Sequence, residues 1–554
     1  MTSRGAAGTS PQPSSSAESS VSVDKRAPQL GGIYSRGSEY LAAVVIAAAF
    51  IARLIPAQKF FLNPDEALHN LLASQSSLAR AYQAGLTNAH PPLLILILYY
   101  WRALGQSDLW LRVPSVLAGT ACCWLLYEWL KLVVDRSTAF LGLLLISFAP
   151  SLIFLSAEIR QYALLLFFMT ACLYLSELAL LKNSAGLMIL FLASLYGALL
   201  THYSSFIFAF AIGVYLLVRL YPYHQKLKLF LLWGAGQVGG VALAVYFLTT
   251  HLPRLRKSGM AHEGFDTYLR KSVFHSSDQN AVTFLAAQTL RVFTYLFSHG
   301  LVGALTLLMF IVGMVWLLRP KRSRNAQGPS HLELALLLGI PFVANWGAAL
   351  AGLYPLGATR HSSFLAPFAI TGACIGIAAC GSARTWLKAV VIVGCLALCN
   401  FFPAPPPPIK PQDQSAALMK SAVTFLNASA PPGSVIFADY QSGLLLGRYV
   451  CGHGVVQVFP PLKPMATTSC GTYTVIATSD REWKFSAENF PGQLASAAQT
   501  FALQPNTEIW LFYAGWINDS APALSQDLRR LGCPAPNTFG ENILICRVTL
   551  PEPK

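Results

Sequence analysis

The chain has 554 residues, of which 54% are hydrophobic and only 11% charged, against about 25% charged in an ordinary soluble domain. That balance excludes a string of soluble domains and makes lipid the solvent for most of the chain. A net charge of +15 would suit nucleic acid, but the basic residues sit in short clusters between apolar runs, as from Arg319 to Arg324; these read as cytoplasmic anchors, and no nucleic-acid partner is expected.

Residues 1–38 are rich in Ser, Ala, Gly and Pro and lack apolar periodicity, which predicts a disordered cytoplasmic tail. The apolar run from Tyr40 to Pro56 starts too late for a cleavable signal peptide and is expected to remain as an anchor. Apolar runs then predict spans near 39–57, 109–131, 138–156, 161–181, 185–203, 205–220, 229–250, 300–318, 332–353, 363–380 and 386–403. That makes about eleven helices, with 39–298 as one membrane module and 299–403 as additional spans. Residues 281–297 carry Gln288 and Arg291 and are expected to lie at the interface.

An N-terminus inside puts Lys131, Arg136, Lys182, Lys226, Lys228, the Arg319–Arg324 cluster and Arg384 all on the cytoplasmic face. The apolar segment from His90 to Leu104 must then lie on the outer surface instead of crossing. Beyond a Pro-rich linker at 404–410, residues 411–554 predict an extracytoplasmic α/β domain. Its expected strands are Val435–Phe437, Val455–Phe459, Thr472–Ala477, Glu508–Tyr513 and Ile543–Val548; its helices are Ser415–Asn427, Ser486–Phe501 and Pro522–Leu531. The domain holds four cysteines, for which the pairs Cys451–Cys470 and Cys533–Cys546 are expected.

Polar clusters recur in the outward loops. Asp65 and Glu66 follow the first span, and two carboxylates there would cost about 2.5–3.5 kcal/mol each at the bilayer centre. His90 opens His-Pro-Pro, Arg112 stands at the mouth of the next span, and Glu158, Arg160 and Tyr162 share one short loop. His202 and Tyr203 follow, then Arg360 and His361. Each has a plain structural reading: a helix cap, a snorkelling arginine, a self-paired loop, an aromatic belt. Together they suit sugar transfer from a lipid phosphate to a hydroxyl, which needs a carboxylate base and cations for the departing phosphate. Asp65 is the candidate base; Arg112, Arg160, Arg360, His90 and His361 are the phosphate candidates.

In order and spacing, Asp65-Glu66, His90-Pro-Pro, Arg112, the Glu158–Tyr162 segment and His202-Tyr203 resemble bacterial members of the C-type (GT-C) glycosyltransferase superfamily. The resemblance runs over about residues 39–370 and is to relatives of dolichyl-phosphate-mannose protein mannosyltransferases and aminoarabinose lipid A transferases. It implies a catalytic Asp in the first outer loop, here Asp65, and inverting transfer from a polyprenyl-phosphate sugar to a lipid, glycan or protein acceptor at the periplasmic face of a bacterial inner membrane. It also implies a juxtamembrane helix at the His-Pro-Pro segment and a loop at about 251–298 that closes over the substrates. Glu66 either supports Asp65 or, with it, binds a divalent metal. A lipid-linked oligosaccharide polymerase or ligase, and a lipid or sugar transporter, are the competing functions.

Overall fold

A computed structural model describes residues 30–221, 226–257, 269–319, 328–380, 384–403, 414–459, 463–479, 490–515, 528–529, 533 and 535–550. The expected linker at 404–410, the helix at Pro522–Leu531 in large part, the basic cluster beyond Arg319 and the tail up to residue 29 lie outside these. Residues 30–38, counted in that tail, are helical. The chain forms two compact units, Met1–Val44 and Val45–Lys554, and the second contains every candidate site residue.

The helices in chain order are α1 (Leu30–Lys59), α2 (Pro64–Ala73), α3 (Leu78–Gly85), α4 (Leu93–Trp101), α5 (Asp108–Val133), α6 (Arg136–Phe148), α7 (Pro150–Ser156) and α8 (Gln161–Lys182). Then come α9 (Ala185–Leu199), α10 (Ser205–Leu220), α11 (Leu227–Lys257), α12 (Ala281–Phe297), α13 (Gly300–Leu318), α14 (His331–Leu350), α15 (Ala366–Ala379) and α16 (Thr385–Phe401). Among the described residues seven helices are long and apolar enough to cross a bilayer: α1, α5, α8, α11, α13, α14 and the run Arg360–Ala379 that ends in α15. The pair α6 and α7, bent by 61°, makes an eighth if counted as one span. Helices α9, α10, α12 and α16 are apolar but shorter, so the count of eleven expected from the sequence is not reached by length and composition. Helix α4 has nine residues, far short of the roughly 20 a span needs.

The bend before α7 follows from Pro150, which lacks the N–H that would bond Ile146 O and so frees that carbonyl. Arg53, 1% exposed on α1, fills the gap: its Nη1 donates to Ser147 O at 2.9 Å and its Nη2 to Ile146 O at 3.3 Å. A second buried charge group joins α8, α10 and α14, where Arg219 pairs with Glu177 at 3.0 Å and Glu333 at 3.6 Å and Tyr215 donates to Glu177. Helices α13 and α15 cross backbone to backbone. A Cβ on Gly376 would lie 1.9 Å from Met309 O, and one on Gly313 2.1 Å from Gly372 O, the close approach that small residues four apart allow.

C-terminal to α16, one six-stranded sheet has the order β2-β3-β1-β4-β6-β5, with β1 Val435–Ala438, β2 Met465–Cys470, β3 Tyr473–Thr478, β4 Glu508–Ala514, β5 Asn537–Phe539 and β6 Ile543–Thr549. β1 runs parallel to β3 and β4; the remaining pairs are antiparallel. Helices α17 (Ala416–Ser429), α18 (Tyr440–Leu446) and α19 (Phe490–Thr500) cover it, and a π-helical turn, Gly447–Cys451, follows α18. The expected strand Val455–Phe459 is not one: Val455 and Val456 fill the core between sheet and α2, while Val458 and Phe459 pack on the cluster around Leu62 and Leu72. Alternating apolar residues serve there to bridge two bodies, so the pattern did not report pairing. Cys451 is bonded to Cys470 and Cys533 to Cys546. Phe61 and Ala67 belong to the sheet's own core cluster, which puts the C-terminal α/β region on the same side of the helices as Asp65.

Candidate active site

The loop that leads from α1 into α2 is built around a capping box. Asn63 Oδ1 accepts from the Glu66 N–H at 3.0 Å and Glu66 Oε2 accepts from the Asn63 N–H at 3.0 Å, with Pro64 at the first helical position. Glu66 is 1% exposed and takes a two-pronged grip from Arg112, Nε to Oε1 at 2.7 Å and Nη2 to Oε2 at 2.6 Å. Arg112 uses its other donors on the carbonyls of Ala57, Phe60 and Phe61, and the Ile159 N–H completes Glu66 Oε1 at 2.8 Å. This pair is a closed knot: both charges are buried, matched and consumed in fixing the loop.

Asp65 points the other way. Its Oδ2 lies 3.0 Å from Arg160 Nη1 and 2.7 Å from Arg360 Nη2, joining the loop before α8 to the 3₁₀ turn Arg360–Leu365. Burial alone would raise the Asp65 carboxyl, but Arg160 and then Arg360 overcome it and hold it well below the usual carboxylate range. Around the two arginines stand imidazoles and phenols. His90 stacks on His202 with ring centres 4.8 Å apart, His361 lies 5.9 Å from His202 and 6.1 Å from His90, and Tyr162 lies 5.3 Å from His202. Arg160 sits over the Tyr162 ring at 5.8 Å. Burial pushes His202 down to about 3, with Arg160 and Arg360 adding to it. Burial and then His202 push His90 well below its ordinary value. These imidazoles are neutral, and His90 Nδ1, His202 Nε2 and His361 Nε2 are buried without a hydrogen-bond partner. Gln161 and Ser363, from the same two segments, also carry buried side-chain atoms with none. So many orphaned polar atoms in one place call for a ligand.

Of the residues singled out in the sequence, Asp65, His90, Arg160, Tyr162, His202, Arg360 and His361 therefore meet at one point. Arg112 does not join them, being spent on Glu66. Glu158 accepts from Asn63 Nδ2 at 3.2 Å and is pushed up to about 7 by burial and then by Glu66. Tyr203 is bonded to His251, whose Nε2 contacts Asn88 O at 2.9 Å. Sequence reasoning missed His69, which stands four residues after Asp65 on the same face of α2. Its Nδ1 donates to Asp65 O at 2.5 Å and its Nε2 accepts from Asn88 Nδ2 at 3.2 Å, and burial, with Arg160 next, pushes it down to about 4. It missed Tyr354 as well, 6.2 Å from His361 and 6.5 Å from His202. The i,i+4 spacing from Asp65 was the available signal for His69.

The described residues include no group of three His, Cys, Asp or Glu side chains that could hold a metal ion. Both Glu66 oxygens are taken by Arg112 and Asp65 faces two cations; of the two roles left open for Glu66, these contacts suit support of the loop that carries Asp65 and do not fit a divalent metal.

A family model described as dolichyl-phosphate-mannose-protein mannosyltransferase matches residues 89–250. No curated protein sequence matches the chain. Among solved structures, ArnT from Cupriavidus metallidurans bound to undecaprenyl phosphate is similar over 92% of this chain and 99% of its own, at 14% identity and a TM-score of 0.52. The same protein in its apo state gives a TM-score of 0.53 at 12% identity, over 92% of this chain and 98% of that one.

Proposed function

From the C-type glycosyltransferase fold that this chain carries, we propose that it moves a sugar from a polyprenyl-phosphate donor to an acceptor hydroxyl at the extracytoplasmic face of a bacterial inner membrane. The observation that carries this reading is the pairing of Asp65 with Arg160 and Arg360, inside a ring of neutral imidazoles with unmet hydrogen-bonding capacity. The acceptor is a lipid, a glycan or a protein.

In this reading the donor phosphate takes the two arginines, whose forked donors suit it. Asp65 then loses the cations that depress it and becomes a stronger base at the moment a substrate is present. It removes the proton of the acceptor hydroxyl; that oxygen bonds to the anomeric carbon from the face opposite the phosphate, and the carbon–oxygen bond to phosphate breaks. The electron pair leaves with polyprenyl phosphate, stabilised by Arg160 and Arg360, and the configuration inverts. His90, His202, His361 and Tyr162 line the donor, and the unpartnered imidazole nitrogens of the three histidines bond its sugar hydroxyls or phosphate oxygens. Tyr203 and Glu158 act one layer out, through His251 and Asn63. Glu66 and Arg112 hold the loop and touch no substrate.

Membranes carrying the wild type, given radiolabelled polyprenyl-phosphate hexoses and pentoses, should transfer label to an acceptor fraction. Asp65→Asn should lower that rate by at least about 100-fold, the scale of a lost general base. Equal transfer by the two proteins would remove Asp65 from the chemistry.

A further inference from the structure

The stretch that carries the chain from α1 to Asp65 is gripped from two sides. On the helix side Arg112 takes the carbonyls of Ala57, Phe60 and Phe61. On the other side the grip comes from the C-terminal region: Phe60 forms a bridge with Ser415, the Phe61 N–H donates to Gln414 O at 3.0 Å, and the Leu62 N–H donates to Tyr449 Oη at 2.6 Å. The Tyr449 hydroxyl in turn donates to Asp108 Oδ2, at the start of α5. Arg448 closes the arrangement on Asp108 Oδ1 at 2.7 Å. The Tyr449 ring meets Phe61 edge-on at 6.4 Å.

Leu62 is fully buried, so without the Tyr449 oxygen its N–H would be a buried donor with nothing to bond. The next residue, Asn63, is the cap that starts α2 and so aims Asp65. Tyr449 itself sits on the π-helical turn Gly447–Cys451, a widened turn of a kind often found at functional sites, and Cys451 ties that turn to β2 through its bond to Cys470. Among the described residues, none of the contacts just named is made with Arg160, Arg360 or the imidazoles.

We infer that Tyr449, with Asp108 fixing its hydroxyl, is a positioning residue for Asp65, so that the C-terminal α/β region completes the active site. The inference rests on the reading of Asp65 as the base. It separates two functions on one site: the donor groups belong to the helices alone, whereas the aim of the base depends on the C-terminal region.

The test compares full-length Tyr449→Phe, Asp108→Ala and the double variant with wild type, using undecaprenyl phosphate for binding and a polyprenyl-phosphate sugar that the wild type turns over for kinetics. Tyr449→Phe should keep its Kd for undecaprenyl phosphate within about 2-fold while kcat falls by at least about 10-fold, since small misplacements of a catalytic group are costly. The acid limb of its kcat/KM profile, which reports the free enzyme, should move to higher pH as Asp65 loosens from its arginines, and amide exchange should quicken from Phe60 to Glu66. The double variant should be no slower than the slower single, because both remove one linkage. Arg547→Ala, which breaks an exposed pair with Glu508 in the same region, should leave kcat unchanged. A Tyr449→Phe enzyme with wild-type kcat and pH profile, beside an inactive Asp65→Asn, would overturn this inference alone. Full turnover by Asp65→Asn would overturn the reading beneath it.

Discussion

Two acids that are neighbours in the chain have opposite fates, and the difference is made by which arginine each one meets. Glu66 is neutralised by Arg112 in a closed, dry pair, whereas Asp65 is held by two cations that also face a group of neutral rings. A third acid, Glu158, is partly buried and titrates at about 7 because burial and then Glu66 disfavour its charge. Its native form therefore keeps a proton that the unfolded chain releases near 4.5. Between those values the folded state binds more protons, so the contribution of Glu158 to stability falls as pH rises from 4.5 to 7. Glu158→Gln should match wild type at about pH 4.5 and melt about 1–2 °C higher at about pH 7.5; thermal melts of the full chain at the two pH values check this, and identical curves at both would refute it. His69, held down to about 4, works in the opposite sense, adding stability as pH rises from 4 to 6.5.

At the scale of elements, what the sequence made legible was what hydropathy encodes. Long apolar runs located α5, α8 and α13 to within a few residues, whereas α1 begins well before the run expected for it, and the short His90–Leu104 run holds only the nine-residue α4. What it hid was set by tertiary contact. β2 and β5 are short antiparallel partners with weak patterns of their own, and Val455–Phe459 looks like a strand because it is buried between two bodies. Arg53 was hidden too, because a charge inside a span has no local signature of the carbonyls it will serve. Its role makes a prediction: Arg53→Leu removes a charge from a span yet should destabilise, leaving Ser147 O unpaired at about 1–3 kcal/mol and Ile146 O with only the weak Cys123 Sγ donor. Adding Pro150→Ala restores an N–H for Ile146 O, so the double variant should recover part of the lost melting temperature. A double variant no more stable than Arg53→Leu would refute the link between Arg53 and the bend.

Over the described residues of the whole molecule, and apart from Arg53 within α1, the charged groups discussed above sort to two ends of the helices. Asp65, Arg160 and His202 lie at the end that bears the sheet, whereas Lys131, Lys182 and the Glu177–Arg219 pair lie toward the other. Under the proposed orientation that second end is cytoplasmic. Cys380, exposed just past α15, reports on it: a membrane-impermeant maleimide should label Cys380 in inverted vesicles and not in spheroplasts, and the reverse pattern would turn the assignment over. The candidate site was legible as a set because its residues flank spans, so hydropathy fixed their depth. Which arginine served which acid was not, since that depends on side-chain reach across helices whose order in space the sequence does not state.

The glycine seam between α13 and α15 has a bearing on how a bulky lipid could reach this end of the molecule. Main chain pressed against main chain at Gly313 and Gly376 leaves no side chain between the two helices at those two points, with the Phe310 ring packed on Gly372 beside them, and the turn that bears Arg360 is continuous with α15. That wall behaves as an anvil. On the proposed function, an isoprenoid tail would reach the site from the side across from that wall, and substitutions that loosen the seam would blunt the anvil without opening the door.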